Sequence, residues 1–303
     1  MKSLQRKSRA LCLLCLAMIL GSMPAKGAVT IDDEPLNAGD VLIGPCGVPG
    51  ATGLTGLNDD FTNLSIDTGI ANVSPGAVTT IPGTVVFRNT IQNTGGDDDL
   101  FVLSAPTKPA GFMIEISIDN GDNYITLKTS NPSVTLPIAF HAAAIILVRI
   151  SAPAGLKVLT GFETVIRATS TAMPAAANDT IDRLYTGFIR LDRSASVVDD
   201  NRIGRPAIAA PGSEIEFAVS YTNISTGAGV GNSLLTAHNL VIRENGNSAA
   251  NNWGTTSEHI VGASDSQGGL IIGDQMGSTS LTDIVTTLEA GQTGIFKFKR
   301  KLK

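Results

Sequence analysis

Apolar and polar residues alternate singly along much of this chain, in short runs set between clusters of Gly, Pro, Asn and Asp. In "TVVFRNTIQN" (84–93), Val85, Phe87, Asn89 and Ile91 fall on one face, with Val86, Arg88, Thr90 and Gln92 on the other. In "EIEFAVSYTN" (214–223), Ile215, Phe217, Val219 and Tyr221 share a face against Glu214, Glu216, Ala218, Ser220 and Thr222. A period of two marks a half-buried strand. Aligning Asn93 with Asn223 places Phe87 on Phe217 and Ile91 on Tyr221, with the faces in phase. Phase matters because a one-residue slip turns every side chain of a strand to the wrong face. The two segments read as one opening strand used twice, each time after a Pro-Gly turn.

Further runs follow the first copy. "MIEISIDNGDNYITL" (113–127) puts Ile114, Ile116 and Ile118 on one face before an Asn-Gly pair, a strong hairpin signal. "AIILVRISAPAG" (144–155) is a nearly continuous apolar strand closed by a Pro-Ala-Gly turn. "GFETVIRATST" (161–171) alternates with Phe162, Thr164, Ile166 and Ala168 together, and "DRLYTGFIRLDRS" (182–194) reads as the final strand. Seven or so short strands over about 115 residues is the count of an immunoglobulin-like sandwich. The fold expected is all-β, with two tandem immunoglobulin-like β-sandwiches. Their spans are 75–194 and 211–303, with a polar, Pro-interrupted linker over 195–210. Residues 28–74 form an arm rich in Gly, Pro and Asp, either extended or adding an edge strand.

"NTGGDDDLFVLSAP", "IILVRISAPAG", "GFETVIRATSTA", "AAPGSEIEFAVSYTNIST", "AHNLVIREN" and "LEAGQTGIFKFKRKLK" together resemble the bacterial conserved-repeat modules of the "DUF eleven" type. The resemblance covers about residues 75–303. It implies immunoglobulin-like modules in exported and cell-surface proteins, with architectural roles and no catalytic residues. The middle of the second copy, 245–280, departs from the pattern by being long and irregular.

The N-terminus changes the compartment. "MKSLQRKSR" carries four basic residues and no acid, an apolar run follows, and small residues precede Ala28. This is the layout of a secretory signal over residues 1–27, the alternative being an uncleaved anchor. Cleavage removes five of the 22 Lys and Arg, leaving 17 against 27 Asp and Glu. A surface of that sign repels phosphate backbones, so nucleic acid is excluded as a partner class. Cys12 and Cys15 leave with the signal, so Cys46 has no second cysteine with which to form an intramolecular disulfide. No later run is long and apolar enough for a membrane span, because His141 and Arg149 interrupt the nearest candidate.

Candidate chemistry is thin. Acidic residues cluster at Asp59–Asp60, Asp97–Asp99, Asp119 with Asp122, and Asp199–Asp200. Calcium wants several hard oxygens converging in one loop, whereas Asp and Asn also favour turns for backbone reasons. His141, His238 and His259 show no metal-ligand spacing. There is no Gly-x-Ser-x-Gly elbow and no lysine-bearing phosphate loop. Trp253, the single tryptophan, is either an exposed sugar platform or a packing plug. The basic tail "GIFKFKRKLK" (294–303) is either a strand or a polyanion contact. As a strand it buries Phe296, Phe298 and Leu302, and its lysines would guard an edge.

No catalytic, cofactor-binding or metal-ligating residue is assigned. The expectation is a secreted or cell-surface, non-enzymatic structural or adhesive protein. Its partners would be envelope or extracellular matrix components, glycans or copies of itself. The alternative is a secreted carbohydrate- or calcium-dependent binding module.

Overall fold

The computed structural model describes residues 40–66, 83–129, 132–154, 156, 160–199, 208–248 and 251–303. The expected signal, residues 1–27, lies outside them. The chain is almost entirely β, arranged as two successive sandwiches.

The first sandwich begins inside the segment expected as an arm. Strands β1 (Val41–Pro45) and β2 (Phe61–Ser65) precede β3 (Thr84–Asn93), β4 (Asp99–Thr107), β5 (Met113–Ser117), β6 (Ile125–Thr126), β7 (Ser133–Ile138), β8 (Ala143–Ser151), β9 (Gly161–Ser170) and β10 (Ala177–Tyr185). One sheet has the order β1-β3-β8-β5-β6 and the facing sheet β2-β10-β9-β4-β7. The opening strand keeps its expected phase, with Phe87, Asn89 and Ile91 buried. The hairpin after β5 turns at Asn120 and Gly121, both with positive φ, at 61° and 96°. Its reach is limited, since Glu115 and Ile116 are the residues that pair with β6. β1 is an edge strand antiparallel to β3, and β2 is an edge strand parallel to β10.

The second sandwich starts earlier than the sequence indicates. The run 182–194 does not form one strand. β10 ends at Tyr185, and β11 (Ile189–Asp199) turns to pair antiparallel with β12 (Glu214–Asn223). Residues 195–199, expected in the linker, therefore continue this strand. After β12 come β13 (Ala237–Asn245), β14 (Asn247–Ser248), β15 (Asn251–Asn252) and a single helical turn, α1 (Trp253–Thr256). β16 (Ser257–Asp265), β17 (Leu270–Ile272), β18 (Ser280–Leu288) and β19 (Thr293–Leu302) complete it. The sheets are β11-β12-β19-β16 and β13-β18-β17. The basic tail is thus a strand, but not at an edge, because β12 and β16 flank it. Its lysines face outward because Phe296, Phe298 and Arg300 take the alternate, buried positions, while Leu302 is half-buried.

The duplication extends to its hydrogen bonds. Asn93 and Asn223 each end their strand fully buried. Asn93 Nδ2 donates to the Ile138 carbonyl at 3.1 Å, and Asn223 Nδ2 donates to the Leu288 carbonyl at the same distance. Each Oδ1 accepts from the backbone N–H two residues on, Gly95 or Ser225, at 3.0 Å. Ile138 ends β7 and Leu288 ends β18, so the asparagine ties the opening strand to the facing sheet at the same place in both sandwiches.

The sandwiches are joined by backbone as well as by chain. The long loop after β12 runs beside β2. Asn63 N donates to Ser233 O and Ser233 N to Phe61 O, both at 3.0 Å. Phe61 N donates to Asn232 Oδ1 at 2.9 Å, and Val230 exchanges hydrogen bonds with Gly53.

Candidate functional site

A groove of about 380 Å³ opens where the sandwiches meet, lined by Glu163, Arg183, Tyr185, Arg190, Ile224 and Thr226 among others. β9 and β10 supply Glu163 and Arg183 as opposed neighbours, and their side chains pair at 2.7 Å. The Arg183 guanidinium also sits 4.1 Å from the Phe61 ring centroid. Arg190 pairs with Asp192 at 3.1 Å, and Tyr185 Oη accepts from Thr226 N at 3.1 Å. The charges are spent on one another, and Tyr185 is buried, so the groove offers no open aromatic face for stacking a sugar.

A second cluster lies inside the first sandwich. Asp182 on β10, Thr164 on β9 and Thr62 on β2 are register neighbours on the inward face, and Asn89 reaches them from the opposite sheet. Asn89 Nδ2 donates to both Asp182 oxygens, at 3.2 and 3.0 Å. The Thr180 hydroxyl donates to Asp60 Oδ2. Burial, only partly offset by that bond, pushes the Asp60 carboxyl up to about 6. Burial pushes Asp182 well above the carboxylate range, with Asp60 adding to the effect. Burial thus favours the neutral acid at both positions. Asp60, Asn89, Thr164 and Asp182 are sealed from solvent, which gives a substrate no route to them.

A third cluster sits in the second sandwich. Tyr221 Oη donates to Asp265 Oδ2 at 2.6 Å. Asp265 Oδ1 also accepts from Gln267 N and Gly269 N, shaping the turn after β16. Burial, with Asp265 alongside, raises the neighbouring Asp283 carboxyl strongly.

The residues singled out in the sequence are dispersed. Asp119 accepts from the Ser117 hydroxyl at 2.6 Å and from Asn123 N at 3.0 Å, bonds that hold its carboxyl down to about 2. Asp98 caps the Phe140 N–H at 2.8 Å, and Asp59 accepts from Thr55 N at 3.0 Å. Asp99 is bonded by the Ser170 and Thr171 hydroxyls. Asp59 and Asp119 thus shape their own loops, whereas Asp98 and Asp99 tie theirs to Phe140 and to the end of β9. His259 is buried against Asp274 at 2.7 Å, His141 occupies a positive-φ turn beside Phe140, and His238 is exposed on β13. Among the described residues, no three His, Cys, Asp or Glu side chains converge as a metal site would need. Cys46 is half-buried in the turn after β1 and carries a thiol.

Trp253 is 3% exposed and packs 5.5 Å from Phe298, with Arg300 over its ring. It is a plug rather than a platform. Its neighbour was missed in the sequence: Arg300, in phase with Phe296 and Phe298, is buried rather than solvated. Burial lowers its guanidinium to about 10. The buried Asp60–Asp182 pair was missed as well. Its one signal was Asp182 standing in phase with Thr180 and Leu184 on an alternating strand.

No family model matches this chain, and no curated protein matches it. Among solved structures, it is similar to the C-terminal domain of the Streptococcus pyogenes antigen I/II-family protein AspA. That match has 8% identity and a TM-score of 0.38, covering 88% of this chain and 92% of that one. The N-terminal domain of PorA matches at 9% identity and a TM-score of 0.31, covering 49% of this chain and 99% of that one. The secreted serine protease VesC from Vibrio cholerae matches at 11% identity and a TM-score of 0.25, covering 79% and 45%. These likenesses are distant, and the architecture rests on this chain's own strand pairings. No helix among the described residues is long and apolar enough to cross a membrane.

Proposed function

We propose that this chain is an exported, non-enzymatic structural or adhesive protein of the cell surface or extracellular space, built from repeated β-sandwich modules of the conserved-repeat type. One observation carries the reading: the asparagine tie is duplicated, and the two sandwiches it organises are hydrogen-bonded to each other through backbone. Such a join resists hinge motion and suits a protein whose task is spacing or holding. The ionisable groups inside the sandwiches support it, because they bond to turns and strands instead of converging on an open cleft. Envelope or matrix components are the partners this reading implies. The carbohydrate-binding alternative loses its aromatic platform with Trp253 buried. Protease shaving of intact cells tests the reading. Fragments of this chain should be released from the surface or found in the medium, and a purely intracellular protein would refute it. Hydrolysis of peptide, ester or glycoside substrates by the purified chain, abolished by a point substitution, would refute the non-enzymatic part.

A further inference from the structure

The two copies part at one turn. Ala139-Phe140-His141-Ala142 joins β7 to β8, and Glu289-Ala290-Gly291-Gln292 joins β18 to β19. Their hydrogen bonds correspond. Ala142 N donates to Ala139 O and Gln292 N to Glu289 O, while Asn93 N donates to Ala142 O and Asn223 N to Gln292 O. The third residue has positive φ in both, 55° at His141 and 75° at Gly291. Other turns closed by the same bond put Gly47, Gly111, Gly212, Gly231 and Gly277 at that position. Glycine is what such a turn asks for, because a Cβ there crowds the backbone. The first sandwich instead has His141, preceded by Phe140 where the second has Ala290. The Phe140 ring is 48% exposed, with the exposed imidazole at 87° to it and the ring centroids 4.0 Å apart. Neither backbone geometry nor core packing calls for these two side chains.

Carboxylates stand beside this exposed ring. Phe140 N donates to Asp98 Oδ1 at 2.8 Å, and Asp97 and Asp98 are both exposed. No Lys or Arg among the described residues pairs with either. Elsewhere the chain sets a guanidinium between a carboxylate and an aromatic ring. Arg149 pairs with Glu115 at 2.6 Å and lies 3.8 Å from the Tyr124 centroid. Arg183 does the same with Glu163 and Phe61, and Arg193 with Glu244 and Phe217. The turn at 139–142 has the carboxylate and the ring without the cation. We propose that Phe140, His141 and Asp98 form a recognition tip for an arginine side chain of a partner protein. The guanidinium stacks on Phe140 and pairs with Asp98, and His141 buttresses the ring. Arginine fits better than lysine, being planar and weakly hydrated.

The tip lies at the end of the first sandwich remote from the groove. Gly161, where β9 starts, lines the groove, whereas Ser170 at its far end bonds to Asp99. The chain's own N-terminal segment does not supply the cation. Residues 28–39 lead into this end, where Thr94 N donates to Asp40 O, and they carry three acids and no Lys or Arg. A second copy is disfavoured by charge, since 17 Lys and Arg against 27 Asp and Glu after residue 27 make copies repel. Such a tip serves the adhesive role proposed above, but its binding is read on the purified chain wherever the chain resides.

Titrating the isotope-labelled full chain with N-acetyl-arginine amide at millimolar concentration, followed by NMR, tests this. Saturable amide shifts should be confined to residues 97–99 and 139–142. N-acetyl-lysine amide should bind at least about threefold more weakly. Asp98→Asn keeps an acceptor for the Phe140 N–H but loses the charge, and should weaken binding at least about fivefold. Asp122→Asn, which removes the same charge from another exposed turn, should leave binding unchanged. Phe140→Ala with His141→Gly rebuilds the turn of the second copy, and should abolish the shifts while melting at or above the wild-type temperature. The proposal is overturned by shifts that are absent or spread over the acidic surface, by equal binding of the lysine amide, or by equal loss in Asp122→Asn. A double variant that melts well below wild type would show the pair is kept for packing, and also overturns it. So do shifts at the tip from glucose or N-acetylglucosamine but not from the arginine amide, and shifts there that grow with protein concentration alone, which would mark a second copy.

Discussion

The guanidinium of Arg300 lies 4.2 Å from the centroid of the Trp253 ring, and both side chains are buried in the second sandwich. Its Nε donates to Ser257 Oγ at 2.8 Å, Nη1 to Ser278 O at 3.1 Å and Nη2 to Ser257 O at 3.2 Å. A planar fork thus ties the start of β16 to the loop before β18. Lysine keeps the charge but cannot reproduce the fork or the stacking. Arg300→Lys should cost about 2–4 kcal/mol, as two or more buried acceptors lose their donors. Urea unfolding followed by the fluorescence of Trp253, the chain's single tryptophan, measures this directly.

Asn93 and Asn223 should tolerate neither alanine nor aspartate. Each side chain must donate to a strand-ending carbonyl and accept from a turn N–H, and a carboxylate can only accept. Asn223→Asp should destabilise the second sandwich by about 2–4 kcal/mol, the scale of unsatisfied buried groups. Asn93→Asp should act on the first by a similar amount. Hydrogen exchange resolved by segment checks which sandwich loosens.

Stability should peak in mildly acidic solution. Asp60, raised to about 6 by burial, and Asp182 and Asp283, raised in the same direction, bind more protons folded than unfolded. Their contribution is therefore lost as pH rises from about 4 toward 7. Glu115, held down mainly by its bond to Arg149, and Asp119, held to about 2, act oppositely and lose their contribution as pH falls below about 4. Asp283→Asn mimics the protonated acid beside Asp265, and should flatten the alkaline limb in the second sandwich. Melting temperatures across pH 3–8 for both proteins check it; a wild-type optimum at neutral pH would contradict the assignment.

Deleting residues 294–303 removes a central strand. Phe296 and Phe298 are each worth about 1.5–3 kcal/mol in apolar transfer, and β12 and β16 both lose their partner. The second sandwich should unfold, with Trp253 emission shifted to the red. Replacing Lys297, Lys299 and Lys301 with serine should cost under about 1 kcal/mol, because the Lys297–Glu216 pair at 3.2 Å is a surface bridge.

Excess chelator should leave the melting temperature nearly unchanged, since Asp59, Asp98 and Asp119 already accept backbone N–H groups, from Thr55, Phe140 and Asn123. A fall of several degrees would reveal a bound ion stabilising by mass action.

Much of this architecture was legible because strands declare themselves by period. Phe87 and Phe217, or Ile166 and Ala168, could be set on the core side from alternation alone. β1 and β2 were legible only as the edge strand offered as one alternative for residues 28–74, because five residues each, among glycines and prolines, carry too little periodicity to separate from loop. The boundary at Thr186-Gly187-Phe188 was hidden for the opposite reason: alternation continues across it while the chain changes sandwich. Composition misled at Arg300, where a run of lysines concealed a cation in phase with two buried phenylalanines. Asp60 read as part of a turn because the groups it is buried with, the Thr180 hydroxyl and the Asp182 carboxyl, lie far along the chain.

Phe61 and Asn63 are bound on one side by β10 and on the other by Ser233, so one short strand serves as margin to both sandwiches. This constrains how a repeat array of this kind can lengthen. Splicing a further repeat into the three-residue connection at 186–188 would separate β2 from Ser233, leaving the Phe61 carbonyl and the Asn63 and Ser233 amides without these partners. Growth by insertion at that seam is costly, whereas growth at the outer ends leaves the shared margin intact.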